Sequence, residues 1–320
     1  MKKKNPSVIF IVSVLFILII PLIGCTNSEG VPHIKKWGIY SLDLTTNKVN
    51  LIYSSDNEII TLRLNNQGDT FVFSMKINGT SNNNSEICLL KLENQNFVRL
   101  TNNDYWDLYP AWSPDDATIA FLSYRENNLD IYKMNNDGSN QYKFYDSGSH
   151  DADIHWIKNT IVFTSGSKIW KINDDGTNPT VITNPPRAGE WGNANLPFGD
   201  YDPNINPDAS KIIFERLEND TSPHGNYNIF SINIDGSEEM RLTDNSYTQG
   251  FPTWSHSGEK ILLLVTVIHD EGKYDLYMMN ADGSDFKTIT PDYFPNNFLC
   301  HAGIFSLDDT IIYFIGQWWE

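Results

Sequence analysis

Two carboxylates and two imidazoles are the side chains in this sequence best suited to chemistry: Asp153, His155, Asp202 and His301. Carboxylates and imidazoles bind divalent metals, and they also transfer protons near neutral pH. Each of these residues stands a few positions before the same kind of motif in an internal repeat. Repeated motifs place equivalent residues at equivalent positions of a fold, so we expect these side chains to converge in one polar ring.

The repeat is clearest in two heptapeptides, PAWSPDD at Pro110–Asp116 and PTWSHSG at Pro252–Gly258. Weaker copies lie between, upstream and downstream of them. Each unit has an apolar or aromatic residue, a Pro-Asp or Ser-Gly turn, and a β-branched run such as TIAF. An alternating strand such as DIYKM follows, then a tight Asn-x-Asp-Gly turn and a last strand. We interpret the heptapeptide as the entry to the innermost strand of each unit, with its Trp in the core.

Four short strands in a unit of about 40 residues are typical of one propeller blade. There are six units, and the sixth contains only its inner strands. The missing outer strands are present at the other end of the chain, at Gly38–Leu44 and Val49–Tyr53. We therefore predict an all-β fold, a six-bladed β-propeller with four-stranded blades, whose last blade is closed by N- and C-terminal strands. The units start near Leu64, Trp112, Trp156, Ile205, Trp254 and Phe305.

The repeat pattern, WSPDD at 112–116 followed by DIYKMNNDGS at 130–139, resembles that of TolB-type β-propellers, a WD-like family of bacterial envelope proteins. The resemblance covers residues from about 37 to 320. It implies an envelope protein with a propeller fold. It does not imply a particular activity, because binding proteins and enzymes both use this fold.

In propellers, the residues just before the innermost strands line the mouth of the central channel. Aligning the units places six candidate ligand-binding residues at this mouth: Tyr109, Asp153, His155, Asp202, Phe251 and His301. The ring predicts a ligand-binding funnel. Two alternatives stay open: short polar residues only solvate the mouth, or they form a metal or catalytic site. We assign no catalytic and no metal-binding residue, and we predict no cofactor.

The largest departure from the repeat is the segment 184–200, NPPRAGEWGNANLPFGD, between the third and fourth units. Long loops on a rigid scaffold commonly carry recognition residues, and an exposed Trp is a favoured anchor. Arg187, Trp191 and Phe198 are therefore candidates for recognition. The alternative is a loop packed over the mouth by its own aromatic side chains.

The N-terminus has the form of a secretory signal, with three lysines before an apolar run. Its end, LIGC at 22–25, resembles the lipobox of bacterial lipoproteins, which implies cleavage before Cys25 and a diacylglycerol on its thiol. The alternative is an uncleaved membrane anchor. Both place the rest of the chain outside the cytoplasm and attached to a membrane. The chain then divides into a signal peptide (1–24), the lipidated cysteine with a tether (25–36) and the propeller (37–320).

The charge balance argues against nucleic acid as a partner. The chain has 40 acidic and 23 basic residues and a net charge of -17, and loss of the three signal-peptide lysines takes the charge to -20. Phosphate binding requires clustered Lys and Arg. An anionic membrane surface repels such a domain, so the lipid must provide the attachment. Two further cysteines, Cys88 and Cys300, leave a disulfide open.

Four common motifs of known enzyme classes are absent from the sequence. The sequence has no Gly-x-Ser-x-Gly elbow, P-loop, dinucleotide fingerprint or His-Glu-x-x-His motif. Oligogalacturonate lyases have propellers with similar repeats and hold a metal with histidines, and His155 and His301 resemble part of such a site. We expect a non-catalytic binding or scaffold module for protein, peptide or glycan. A polysaccharide-processing enzyme of the lyase type, with a metal at the channel mouth, is the alternative.

Overall fold

The computed structural model describes residues 35–77, 84–220, 225–268, 273–295 and 297–319. Within these ranges the chain forms 24 β-strands arranged as six four-stranded antiparallel sheets. The described residues include no helix long and apolar enough to cross a membrane. The predicted six-bladed propeller with four-stranded blades is therefore confirmed. The predicted signal peptide, Cys25 and the tether up to residue 34 lie outside the described residues.

Five blades follow one another along the chain, each running from its innermost to its outermost strand. Blade 1 contains β3 (Ile59–Leu64), β4 (Thr70–Lys76), β5 (Ser85–Lys91) and β6 (Phe97–Arg99). Blade 2 contains β7 (Asp107–Trp112), β8 (Thr118–Ser123), β9 (Asp130–Asn135) and β10 (Tyr142–Tyr145). Blade 3 contains β11 (Asp151–Ile157), β12 (Thr160–Ser165), β13 (Lys168–Asn173) and β14 (Thr180–Val181). Blade 4 contains β15 (Gly199–Ile205), β16 (Lys211–Asn219), β17 (Asn226–Asn233) and β18 (Met240–Arg241). Blade 5 contains β19 (Thr248–Trp254), β20 (Lys260–Ile268), β21 (Lys273–Asn280) and β22 (Lys287–Thr288).

The sixth blade joins the two ends of the described chain, as predicted. Its strands are β23 (Leu299–Phe305), β24 (Ile311–Trp319), β1 (Lys35–Asp43) and β2 (Lys48–Ser55), from inside to outside. Strand β1 pairs with β24 along its whole length. At the middle of this junction Gly38 stands opposite Gly316. Since hydrogen bonds between the chain ends close the ring, neither β1 nor β24 is left as an open sheet edge.

The inner strands are apolar because both faces of each blade are covered by neighbouring blades. All six residues of β7 are buried. On its outer neighbour β8, Phe121 packs with Trp112 against Val72 and Ile87 of blade 1. Sheets buried on both faces favour continuous apolar runs over alternation, which explains runs such as TIAFL. Both described cysteines, Cys88 and Cys300, are buried, and no disulfide joins them.

The repeated heptapeptide spans the end of an innermost strand and the turn after it, which corrects its interpretation as the strand's entry. Trp112 is the last residue of β7 and is buried, as predicted for a core Trp. In the turn, the Ser113 hydroxyl accepts the Thr118 N–H at 2.9 Å. One carboxylate oxygen of Asp116 accepts the backbone and side-chain N–H groups of Asn66 in blade 1, at 2.9 and 2.7 Å. The turn of the second clear copy also fastens neighbouring blades, since the N–H groups of His256 and Ser257 donate to Asp309 of blade 6.

Candidate functional site

Each innermost strand has an irregularity in its pairing with the second strand of its blade. In four blades the residue at this irregularity has a side chain that faces the channel. The residues are Tyr109, Asp153, Asp202 and Phe251, with φ between 48° and 56°. A positive φ is uncommon for residues other than glycine and is typical of β-bulges. Each is the third or fourth residue of its strand, so they lie within the innermost strands rather than before them.

These four side chains do come together, but the space between them is small. Tyr109, Asp153, Asp202 and Phe251 share a cavity of about 30 Å³. Three of them also line a second cavity of about 20 Å³ further along the channel. A cavity needs roughly 10–15 Å³ to hold a single water, so these spaces suit water rather than a chain of residues.

The loop 184–200 packs against this end of the channel, which we name the capped end. Leu196 lines the 30 Å³ cavity beside Tyr201, and Phe198 is buried in the same apolar cluster. The guanidinium of Arg187 lies 3.6 Å from the centre of the Phe198 ring. Trp191, in contrast, is 52% exposed. Arg187 and Phe198 therefore hold the loop in place, and Trp191 is the candidate for recognition that faces outward.

The channel holds three carboxyl groups, Asp153, Asp202 and Glu215, and the guanidinium of Arg63 lies near the first two. The Asp202 N–H donates to Asp153 Oδ2 at 3.3 Å, and the Phe251 N–H donates to Glu215 Oε2 at 2.9 Å. Burial raises the pKa of Asp153 to about 6 and that of Glu215 to about 8, and burial together with the two neighbouring carboxylates raises the pKa of Asp202. Burial lowers the pKa of Arg63, an effect opposed by the nearby acids. The carboxyls therefore share protons instead of being fully ionised at neutral pH.

His301 does not join the other candidates. It is 1% exposed, with its ring 5.0 Å from that of Trp37 and 6.3 Å from that of Tyr274. Burial lowers its pKa to about 3, so the imidazole is neutral. Among the described residues, no group of three His, Cys, Asp or Glu is placed to hold a metal ion.

A larger cavity lies at the opposite end of the channel, where the innermost strands end. We name it the basal cavity; its volume is about 320 Å³. Its walls include the apolar residues Ala111, Ile205 and Phe305. Its polar lining includes Arg63, Asn66, His155, Lys158, Asn204 and His256. A cavity of this volume is at the small end of the range for ligand pockets.

The basal cavity differs in charge from the rest of the molecule. The sequence has nearly two acidic residues for each basic one. Yet no Asp or Glu of the described residues lines this cavity, whereas Arg63, Lys158 and two histidines do. At the rim, Asp309 is engaged by the backbone N–H groups of His256 and Ser257, at 2.7 and 2.8 Å. The cavity is therefore rich in hydrogen-bond donors.

Two of the polar side chains link adjacent blades through one atom and face the cavity with another. The Ile205 N–H donates to His155 Nδ1 at 3.0 Å. Burial, with smaller effects of Arg63 and His256, lowers the pKa of His155 to about 3, so its remaining proton is on Nε2. The Trp254 N–H donates to Asn204 Oδ1 at 3.2 Å, which leaves the Asn204 amide NH₂ as a donor.

Sequence reasoning missed several of the residues that define these sites. Arg63, Glu215 and Asn204 were not among the candidates. Glu215 is charged at a position of the second strand where the other blades have uncharged residues, and this contrast was a usable signal. The equivalent residues are Ser74, Leu122, Thr164, Leu264 and Ile315.

The radial sheets, the closure by both chain ends and the axial channel define a six-bladed β-propeller. The model of the TolB beta propeller domain matches residues 33–257. The chain belongs to this family.

Individual relatives are distant. The uncharacterized protein Atu1656 of Agrobacterium fabrum is 24% identical over 168 residues, which cover 49% of this chain and 53% of that protein. The match thus spans about half the length of this relative. The structure of a putative TolB from Agrobacterium tumefaciens is similar with a TM-score of 0.70 and 18% identity, covering 89% of this chain and 99% of that one. An oligogalacturonate lyase in complex with manganese has a TM-score of 0.56 at 11% identity, covering 88% and 83% of the two chains. These structural likenesses show the fold alone.

Proposed function

We propose that this protein is a lipid-anchored extracytoplasmic propeller that binds another molecule of the envelope without transforming it. The basal cavity is the observation on which this proposal depends. It has a volume of about 320 Å³, whereas the spaces at the capped end hold about 30 and 20 Å³. A ligand group of more than water size fits only the basal cavity among these three.

The composition of the basal cavity also favours binding. Small-molecule and peptide sites combine apolar walls with a few well-placed polar groups. The basal cavity has apolar walls at Ala111, Ile205 and Phe305 and polar groups at Arg63, His155 and Asn204. Of the residues predicted for a ligand-binding ring, His155 lies in this cavity. The proposal therefore keeps the channel as the binding site and places it at the end opposite the loop 184–200.

The N-terminal sequence supports the proposed location of the protein. The lysines and apolar run of residues 1–24 have the form of a signal peptide, and LIGC at 22–25 has the form of a lipobox. With a mature charge of -20, the domain depends on the lipid at Cys25 for membrane attachment. Replacing Cys25 with Ser is expected to release the chain from the membrane fraction and to abolish incorporation of labelled fatty acid.

The alternative of a lyase-type enzyme has one supporting observation, the fold shared with an oligogalacturonate lyase. At 11% identity that similarity carries no activity to this chain. The two histidines on which the alternative depends have different surroundings: His155 lines the basal cavity, and His301 is enclosed by Trp37 and Tyr274. Binding is therefore the better supported function.

Photo-crosslinking in the native host tests the binding proposal. A photoreactive residue is introduced at Lys158, on the rim of the basal cavity, and separately at Tyr142, which is 48% exposed on the outermost strand β10. We expect a discrete adduct from position 158 and none from position 142. The adduct should disappear when Thr253→Trp fills the cavity. No adduct at 158, or the same adducts from both positions, contradicts the proposal.

A further inference from the structure

We infer that the basal cavity is a carboxylate-binding site that takes the C-terminal carboxylate of an extended peptide; this rests on the proposed binding function and specifies its ligand. Three side chains from three blades provide the donors: Arg63 of blade 1, His155 of blade 3 and Asn204 of blade 4. All three line the same cavity.

Most N–H donors of the Arg63 side chain have no hydrogen-bond partner among the described residues. Among the described residues its side chain makes one hydrogen bond, from Nη1 to the Leu62 carbonyl at 2.9 Å, and its Nε has no partner. A guanidinium has five N–H donors in a planar fork that matches a carboxylate bidentately. Arg63 is half-buried at the end of β3, and Asp153 and Asp202 partly compensate its charge from the channel side. Its unpaired N–H donors are available to a ligand in the basal cavity.

His155 and Asn204 restrict the ligand further. The acceptor atom of each is committed to a backbone N–H of the next blade, Ile205 for His155 and Trp254 for Asn204. What remains on each is a donor, Nε2–H on the imidazole and NH₂ on the amide. These two side chains thus add donors to the inner end of the cavity, and the carboxyls of Asp153 and Asp202 lie on the channel side of Arg63. An ionised carboxylate has only acceptors, so it is the complementary group.

The rest of the lining fits a peptide better than a sugar. Asn66 uses its NH₂ group on Ser113 and Asp116, which leaves its amide oxygen to accept a peptide N–H. The three indoles of the lining are mostly buried, so they expose little ring surface on which a sugar could stack. Their exposures are 7% for Trp112, 8% for Trp156 and 7% for Trp254. Capture of a terminal carboxylate by converging donors is a recurring mode of peptide recognition.

The test is calorimetric titration of the full-length chain in detergent micelles with acetyl-trialanine. Its C-terminal carboxamide is the matched ligand, with the same backbone and no charge. We expect the free acid to bind at least about tenfold more tightly than the amide, since charge-assisted hydrogen bonds are the strong ones. Equal affinities, or no binding of the free acid at millimolar concentration, overturn the inference. Binding of D-galacturonate but not of the peptide also overturns it.

Asn204→Asp identifies the site. The substitution keeps the acceptor for the Trp254 N–H and replaces the donor with a negative oxygen, so we expect at least a tenfold loss of affinity. Asn127→Asp adds the same charge at an exposed turn of blade 2 and should leave affinity unchanged. His155→Asn, which removes the Nε2 donor, provides a second variant should Asn204→Asp fail to fold. Unchanged affinity in the folded variants overturns the inference.

Different results would contradict the binding function and the carboxylate ligand. Rim adducts at Lys158 together with equal affinities for acid and amide would leave the binding function in place and remove the carboxylate. Absence of rim adducts removes the binding function itself.

Discussion

The Nδ1 atom of His155 in blade 3 accepts the backbone N–H of Ile205 in blade 4, at 3.0 Å. The same relationship links Asn204 to Trp254 one blade further on, at 3.2 Å. Buried N–H groups of innermost strands, which have no further strand beside them, need such partners. The side chains that hold adjacent blades together are therefore also those that present donors to the basal cavity.

The hydrogen bond from the Ile205 N–H to His155 Nδ1 predicts that stability depends on an acceptor at this position. His155→Ala leaves the buried Ile205 N–H without an acceptor and is expected to lower the free energy of unfolding by about 1–3 kcal/mol. His155→Asn restores an acceptor near the Nδ1 position and should recover most of the loss. Urea unfolding followed by tryptophan fluorescence measures both. Equal losses in the two variants would show that the hydrogen bond has no such role.

The buried carboxyls predict that stability falls as pH rises. Glu215 has a folded pKa of about 8 and an ordinary value of 4.5, so the folded state holds a proton that the unfolded state releases. The stabilisation is complete below the ordinary pKa and is lost as pH rises through the folded pKa. Asp153, with a pKa of about 6, acts in the same direction. His155 and His301, whose pKa values are lowered from 6.5 to about 3, act in the opposite direction up to about pH 6.5. Urea midpoints of the wild type should therefore decrease between pH 6.5 and pH 8.

Glu215→Gln isolates the contribution of one group to this pH dependence. The amide keeps an oxygen for the Phe251 N–H but does not titrate, so the decrease between pH 6.5 and pH 8 should be smaller than in the wild type. Glu259→Gln, at an exposed position, is the matched control and should follow the wild type. A Glu215→Gln slope identical to that of the control would mean that Glu215 does not titrate in this range.

The sequence was sufficient for the fold because every blade repeats the same local pattern. The Asn-x-Asp-Gly turns, for example, place Gly138 and Gly236 at φ of 85° and 87°, as their composition predicted. The positions within the channel were harder to predict. The Trp of each heptapeptide was interpreted as the entry to an innermost strand, although Trp112 ends one. Periodicity locates a strand well but determines its boundaries poorly, so residues inside β11 and β15 were placed ahead of them.

The donors of the basal cavity occupy one position of the repeat, so aligning the blades brings them together. Arg63, His155 and Asn204 each pair with the third residue of the second strand of their blade, and all three line the cavity. His301 stands three positions earlier in its blade than the equivalent of His155, before the irregularity in β23, and it lies in a buried cluster instead of the cavity. Glu215 was missed because an acid in the second strand of one blade breaks the repeat pattern.

In the loop 184–200, we expect the buried Phe198 to contribute to stability and the exposed Trp191 to contribute little. Phe198→Ala removes a ring that is 2% exposed and is expected to cost about 3–5 kcal/mol of stability. Trp191→Ala, at a side chain that is 52% exposed, should change stability by no more than about 0.5 kcal/mol. Thermal unfolding of both variants measures the difference. A large loss for Trp191→Ala would show that this ring is part of the packed loop.

The closure of blade 6 gives a further prediction. A Cβ at Gly316 would collide with Phe298 and would lie 2.6 Å from Cε2 of Tyr40. Gly316→Ala is therefore expected to displace the rings of Phe298 and Tyr40, which pack over the junction of β1 and β24, and to lower the free energy of unfolding by about 1–3 kcal/mol. Ser41→Ala, on the same strand β1, is the control. Hydrogen exchange should accelerate in both strands of Gly316→Ala; unchanged exchange would contradict the tight pairing of the chain ends.

Nitrogen-15 NMR of the histidine side chains tests the donor set of the basal cavity most directly. His155→Asn assigns the His155 signals by their loss. The account predicts that His155 remains the neutral Nε2–H tautomer from pH 5 to pH 8, because its pKa lies near 3. It also predicts that the Nε2–H signal shifts on addition of acetyl-trialanine and not of its carboxamide. A proton on Nδ1, or an Nε2–H signal that does not shift when the free acid is added, would contradict the proposed donor set.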